Sequence, residues 1–240
     1  MIRSFLVSML LLFVSVGTAS GTGPSEPDAA LSDQEEMELL VKIANRTRTS
    51  RGVDGVVTID GHPAIGSSDA GIVLIEFSDF QCAFCRRHLN SVMPDLVSEF
   101  VESGQVEYAF MDFPVEDRHP QAKQAAIAAR CAREQGKYWE MRKRLFISPA
   151  MLKETDLESH ASAMGLDMAE FDACLKSDQY HNAVRRDKDL GTKLMVRGTP
   201  TFFIGKRISE GNQIRLEKSI IGHQPIDVFR EHIRTLARGN

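Results

Sequence analysis

Two cysteines separated by two residues, Cys82-Ala83-Phe84-Cys85, are the side chains of this 240-residue chain best suited to covalent chemistry. They directly follow the apolar run Ile72-Val73-Leu74-Ile75-Glu76-Phe77 and directly precede a segment of helical periodicity. A thiol where a helix begins sits beside unpaired backbone N–H groups and the positive end of the helix dipole, and both favour the thiolate. A cysteine there should be a good nucleophile. Two vicinal thiols are also half of a zinc site or a copper-handling pair. Tetrahedral zinc asks for four ligands, however, and neither Cys131 nor Cys174 has the closely spaced second ligand that zinc ribbons and fingers use, so no metal is assigned.

The other candidates are scattered. Glu76 is the one charge in the apolar run before the CxxC, and reads either as a buried functional acid or as an acid at a sheet edge. Arg86, Arg87 and His88 lie one turn beyond Cys85 and read as a solvated helix face, while His119 precedes a helix-starting proline. These four stay outside the catalytic set. Four cysteines in a chain that reads as exported imply an oxidising setting, and the arithmetic suggests one active pair and one structural pair, Cys131 with Cys174.

The elements that must hold these residues follow from periodicity and turn chemistry. Val53 to Ile59 alternates as a strand closed by Asp60-Gly61-His62-Pro63. Ile72 to Phe77 reads as a central strand buried on both faces, and Val106 to Phe113 as the next strand. Between them, Leu89, Val92, Met93, Leu96, Val97 and Phe100 mark a helix that Pro94 should kink. The chain then turns helical from about residue 120 to 191. The block comprises an Ala-rich helix stopped by Gly136, a helix over Tyr138 to Phe146, capping-box starts at Thr155 and Asp167, and a helix from Tyr180 that Gly191 should stop. Strand character returns at Thr201 to Ile204, with a turn at Gly205-Lys206, and at Ser219 to Ile221. Pro225 starts a last helix carrying Val228, Phe229, Ile233 and Leu236 on one face.

Arg3, an apolar stretch from Phe5 to Val16 and the small residues that follow read as a signal peptide over 1–19, too short to span a bilayer. A flexible linker over 20–30 and an N-terminal helix over 31–48, opened by the capping box Ser32 to Glu35, come next. Nothing later is long and apolar enough for stable membrane insertion. Lys plus Arg number 29 against 33 Asp plus Glu, scattered rather than striped, so no nucleic-acid partner is expected.

Strand, CxxC, helix and a distant Gly198-Thr199-Pro200 before an apolar strand and terminal helix resemble a thioredoxin fold. The helical block between the two halves narrows the resemblance to the DsbA-like family of exported thiol-disulfide oxidoreductases. Its strongest elements are Glu76 to Cys85 and Val196-Arg197-Gly198-Thr199-Pro200-Thr201-Phe202-Phe203. The fold class implied is α/β, a central mixed sheet flanked by helices with an inserted all-helical subdomain: first half 49–119, insertion 120–191, second half 192–240. The resemblance implies that Cys82 is the exposed nucleophile, that Cys85 is the buried resolving thiol, and that Pro200 is cis against the CxxC. It further implies that Thr199 binds an extended substrate segment and that Glu76 manages the resolving thiol's proton. No cofactor is implied. The expected partners are cysteine-containing exported proteins and a membrane redox partner, and the expected location is periplasmic or secreted. Oxidase activity is the first expectation, but Ala83-Phe84 stand where the best-known oxidases resemble Pro-His, which points to a less oxidising couple and leaves isomerase and reductase as alternatives, with a metal-binding or chaperone module of the same fold as the alternative from another class.

Overall fold

The computed structural model describes residues 50–208 and 212–239, all within the unit Val41–Asn240. The signal, linker and N-terminal helix expected over 1–48 lie outside the described residues.

Seven strands form one mixed sheet: β1 (Ser50–Gly52), β2 (Val56–Thr58), β3 (Ala64–Ile65), β4 (Ile72–Ser78), β5 (Val106–Asp112), β6 (Thr201–Arg207) and β7 (Gln213–Ile221). Their order is β1-β7-β6-β4-β5-β3, with β2 also pairing β7. The central strand β4 runs parallel to β5 (Glu76 opposite Phe110) and antiparallel to β6 (Glu76 opposite Phe202). All seven of its residues are buried, as an apolar run covered on both faces must be.

Because side chains alternate across a strand, β4 serves two cores. Val73, Ile75 and Phe77 pack with Met111, Phe113, Phe203 and Leu216 on one face. Ile72 and Leu74 pack on the other with Tyr108, Phe110, Phe202 and the inserted helices. Glu76 shares the second face, so a carboxylate enters the larger core. Burying each aromatic or aliphatic side chain there contributes about 1.5–3 kcal/mol.

The helix after the CxxC is interrupted as Pro94 requires, since proline has no N–H to donate and clashes with the preceding turn. α1 (Ala83–Ser91) ends at Val92, α2 (Met93–Leu96) restarts, and Val97–Val101 closes as a π-helical turn. The inserted block is α3 (Ala122–Glu134), α4 (Tyr138–Ile147), α5 (Glu154–Ala163), α6 (Met168–Leu175) and α7 (Asp178–Lys193); α8 (Ile226–Arg238) follows β7. Asp167 caps α6 by accepting from Glu170 N at 3.0 Å.

Four local expectations change. The α5 cap is Lys153, whose N–H donates to Asp156 at 3.1 Å, so Thr155 sits inside the helix. Gly191 does not stop α7: a Cβ there would meet Phe113 at 2.6 Å and Phe77 at 3.0 Å, so glycine is needed for close helix-to-sheet packing. Gly205-Lys206 is no turn, because β6 runs on to Arg207 with a register shift at Ile204/Gly205. A Cβ at Gly205 would lie 2.2 Å from the Arg215 carbonyl oxygen. β7 accordingly begins at Gln213, well before Ser219.

Candidate active site

β4 ends at Ser78, and the turn that follows delivers Cys82 to the start of α1. Cys82 occupies the N-cap position in extended conformation (φ −72°, ψ 120°), which places Cys85 in the first helical turn. The turn is tied down by Asp79, whose buried carboxylate accepts from Gln81 N (2.7 Å) and Val115 N (2.8 Å) and bonds His119 Nδ1 (2.9 Å). Gln81 and Gln121 add a reciprocal pair at 2.7 and 3.2 Å. Asp79 was legible only as part of a motif, and His119 is not merely a residue before a proline. Together they fasten the loop after β5 to the turn bearing Cys82.

The two thiols, both free, differ in environment. The Cys82 thiol is lowered to about 6, first because the Cys85 thiol donates to its sulfur. Partial burial opposes this, and the Thr199 side chain and the N–H groups of Cys85 and Phe84 assist it. Cys85 is pushed well above the ordinary thiol range, chiefly by burial, then by donating to Cys82 and by the negative charges of Cys82 and Glu76. At neutral pH the pair therefore offers one thiolate and one proton-bearing thiol. Cys82 is less open than the resemblance implies: only 7% of its surface is accessible, while the neighbouring Phe84 is 55% exposed. Thr199 covers part of it. The Thr199–Pro200 bond is cis, and the Cys82 thiol reaches the Thr199 carbonyl at 3.2 Å.

Beneath the thiols lies Glu76. Its Oε2 accepts from the Tyr108 hydroxyl and from Arg142 Nη2 at 3.2 Å, and Arg142 Nη2 also donates to the Tyr108 oxygen at 3.0 Å. Its Oε1 is buried and meets no donor. The Arg142 guanidinium lies 4.6 Å from the Phe110 ring centroid and 5.3–5.8 Å from those of Phe146, Trp139 and Tyr108. Sequence reading missed Arg142, although Tyr138, Met141, Leu145 and Phe146 mark the buried face of α4 and place Arg142 upon it.

His88 corrects the expectation of a solvated face. It is buried, with its ring 4.5 Å from that of Phe202 and 5.5 Å from that of Phe229. The reason is helical phase: three residues after Cys85, it points the same way, into the core. Burial lowers it to about 4, so it is neutral at pH 7 and lends Cys82 no charge. Arg87 is the exposed member of the group and stacks over Phe84 at 5.5 Å.

A family model described as thioredoxin matches residues 57–219. The chain belongs to the thioredoxin family. Within that family its fold is the one seen in DsbA-like structures, a mixed sheet with a helical insertion. Wolbachia pipientis alpha-DsbA1 is similar at a TM-score of 0.61 and 21% identity, over 74% of this chain and 91% of that one. Oxidised BdbD of Bacillus subtilis is similar at 0.63 and 21%, over 77% and 97%. The thiol-disulfide exchange protein alpha-DsbA2 of Wolbachia pipientis is similar at 0.61 and 18%, over 86% and 100%. Among curated relatives, the Na+/H+ antiporter NhaA 3 of Salinispora tropica is 32% identical over 146 residues, which are 61% of this chain but 22% of that protein. The antiporter of Herminiimonas arsenicoxydans is 28% identical over 228 residues, 90% of this chain and 36% of that protein. The thioredoxin-family chain thus spans between about a fifth and a third of the length of these two relatives.

The remaining cysteines are joined: Cys131 in α3 and Cys174 in α6 form a disulfide with Cα atoms 5.7 Å apart. Among the described residues, no group of three or more His, Cys, Asp or Glu side chains is placed to hold a metal ion. Among them also, no helix is long and apolar enough to cross a membrane.

Proposed function

We propose that this protein exchanges a Cys82–Cys85 disulfide with the thiols of folding proteins, chiefly as an oxidase. A substrate thiolate attacks Cys82 Sγ of the disulfide; the Cys82–Cys85 bond breaks, and Cys85 leaves and is protonated. A second substrate thiolate then attacks the substrate sulfur of the mixed disulfide, and Cys82 departs as a thiolate. The supporting observation is the Cys82 thiol, lowered to about 6 at the N-cap of α1 and touching Thr199. A stabilised thiolate is a good leaving group and makes the disulfide more oxidising. Thr199 offers backbone beside the sulfur, where an extended substrate segment would add as a strand.

Cysteine-containing exported proteins as substrates, a membrane redox partner and a periplasmic or secreted location belong to this same proposal. They are supported by the N-terminal sequence and by the Cys131–Cys174 disulfide, since such bonds persist in oxidising compartments. Isomerase or reductase activity is the second reading, favoured by Ala83-Phe84 between the cysteines and by the neutral, buried His88, neither of which adds positive charge near Cys82.

Redox titration against glutathione, together with oxidation of a reduced two-cysteine peptide, tests the proposal. The oxidised protein should convert the peptide to its disulfide, and Cys82→Ser should abolish this. A potential as reducing as thioredoxin's, about −270 mV, would overturn the oxidase direction in favour of reductase. Unchanged activity in Cys82→Ser would overturn the whole reading.

A further inference from the structure

We propose that Arg142, reaching out of the inserted helices, is a positioning residue that keeps Glu76 ready to take the proton of Cys85. Three observations carry it. First, both donors to Glu76 act on Oε2: the Tyr108 hydroxyl and Arg142 Nη2 share it and bond each other at 3.0 Å. Second, Oε1 is buried without a donor, so the carboxylate is held by one oxygen and offers the other. Third, the guanidinium has no freedom to leave, being enclosed by the rings of Phe110, Phe146, Trp139 and Tyr108.

The other groups near the acid do not replace Arg142. Cys85 and His88 feel Glu76 from α1, Tyr108 meets it from β5, and Tyr138 acts on Arg142 from α4. His88 is neutral at pH 7, and the two tyrosines remain protonated there. Arg142 is thus the fixed cation that compensates the carboxylate. Without it, the Tyr108 hydroxyl would be the one donor left of the two that hold Glu76, and the carboxylate would no longer be fixed toward the thiol.

The step served is attack by Cys85 on a mixed disulfide at Cys82. Cys85 Sγ–H gives its proton to Glu76 Oε1 through one bridging water, since Oε1 meets no donor directly; a Cys82–Cys85 bond forms as the Cys82–substrate bond breaks, and the electron pair leaves with the substrate sulfur. The reverse passage returns the proton to Cys85 as it departs. This rests on the exchange reading above and goes beyond it by assigning the proton's control to the helical insertion.

The test is single-turnover release of thionitrobenzoate from its mixed disulfide with Cys82, followed by absorbance against pH. Arg142→Met should slow release at pH 7 by about tenfold or more, the lower end of what a positioned acid–base group contributes, with the rate recovering at alkaline pH. Arg142→Lys, which keeps the charge without the fork, should fall between. In the Glu76→Gln background, Arg142→Met should change nothing further; that double variant also removes both buried charges, so it is the one best able to fold. Release by Arg142→Met at the wild-type rate, or slowing by the same factor in both backgrounds, would overturn the inference. Absence of release in the wild-type protein, with Cys82 still alkylating normally, would instead overturn thiol exchange itself.

Discussion

At the scale of single residues, two thiols one helical turn apart are driven in opposite directions, and burial alone does not account for it. Both are shielded from water, yet Cys82 receives donors from Cys85, Thr199 and the first N–H groups of α1, whereas Cys85 is the more deeply buried and gives its own proton to Cys82. The expected consequence is alkylation of Cys82 by iodoacetamide that is half-maximal near pH 6, against about 8.5 for an ordinary thiol. A midpoint above pH 8 would remove the helix-start argument. For the reduced protein, a depressed thiol stabilises the fold fully above the ordinary thiol pKa, and that contribution is lost as pH falls through about 6. His88 makes a second and separable acid sensitivity. Its imidazole is lowered to about 4 by burial, so the unfolded chain binds a proton below about pH 6.5 that the folded one refuses. Stability should drop by about 2–3 kcal/mol between pH 7 and 4.5 from this group. His88→Phe should abolish that portion of the loss in urea titrations while leaving the alkylation midpoint of Cys82 in place. A shifted midpoint would mean that His88 does take part in thiol chemistry.

At the scale of elements, what could be read in the chain was periodicity, and what could not was proximity. The strand before the CxxC, the helix broken at Pro94, the Ala-rich α3 and the face of α8 all follow from the spacing of apolar residues and from backbone rules. Gly191 and Gly205 were misread because glycine serves two purposes, ending an element or letting another approach. The deciding neighbours, Phe113 and the Arg215 carbonyl, are remote in sequence or across a register shift. Arg142 and His88 were hidden for a related reason: charge and polarity suggest water, whereas helical phase puts both side chains inside. Gly191→Ala separates the two uses of glycine. Alanine gains about 1 kcal/mol of helix propensity over glycine, but it must displace two phenylalanine rings, and overpacking costs about 1–3 kcal/mol. Net destabilisation of up to about 2 kcal/mol is expected in chemical denaturation; a more stable variant would show that the rings move aside freely.

At the scale of the whole molecule, the helical block is bound to itself by Cys131–Cys174, which closes a loop with a sequence separation of 43. It is bound to the sheet by buried charge. Arg130 of α3 bonds Asp112 of β5 at 2.6 Å and also bonds Asp187 of α7, while Asp187 accepts from the Asp112 N–H at 3.0 Å. Replacing both Cys131 and Cys174 with serine should cost about 2–4 kcal/mol through the freedom restored to the unfolded chain. Peptide oxidation below the melting temperature should be unchanged, because the site uses neither sulfur. Calorimetry alongside activity would check both halves of this prediction. The charge arrangement under the CxxC behaves differently, for its anion is inherited with the strand and its cation with the insertion. Exchanging residues 120–191 for the corresponding piece of a relative that lacks the arginine would strand a carboxylate in the interior, whereas moving this piece elsewhere would strand a guanidinium. The two lobes are therefore a matched set, and recombination between them should be tolerated only when both partners of the pair travel together.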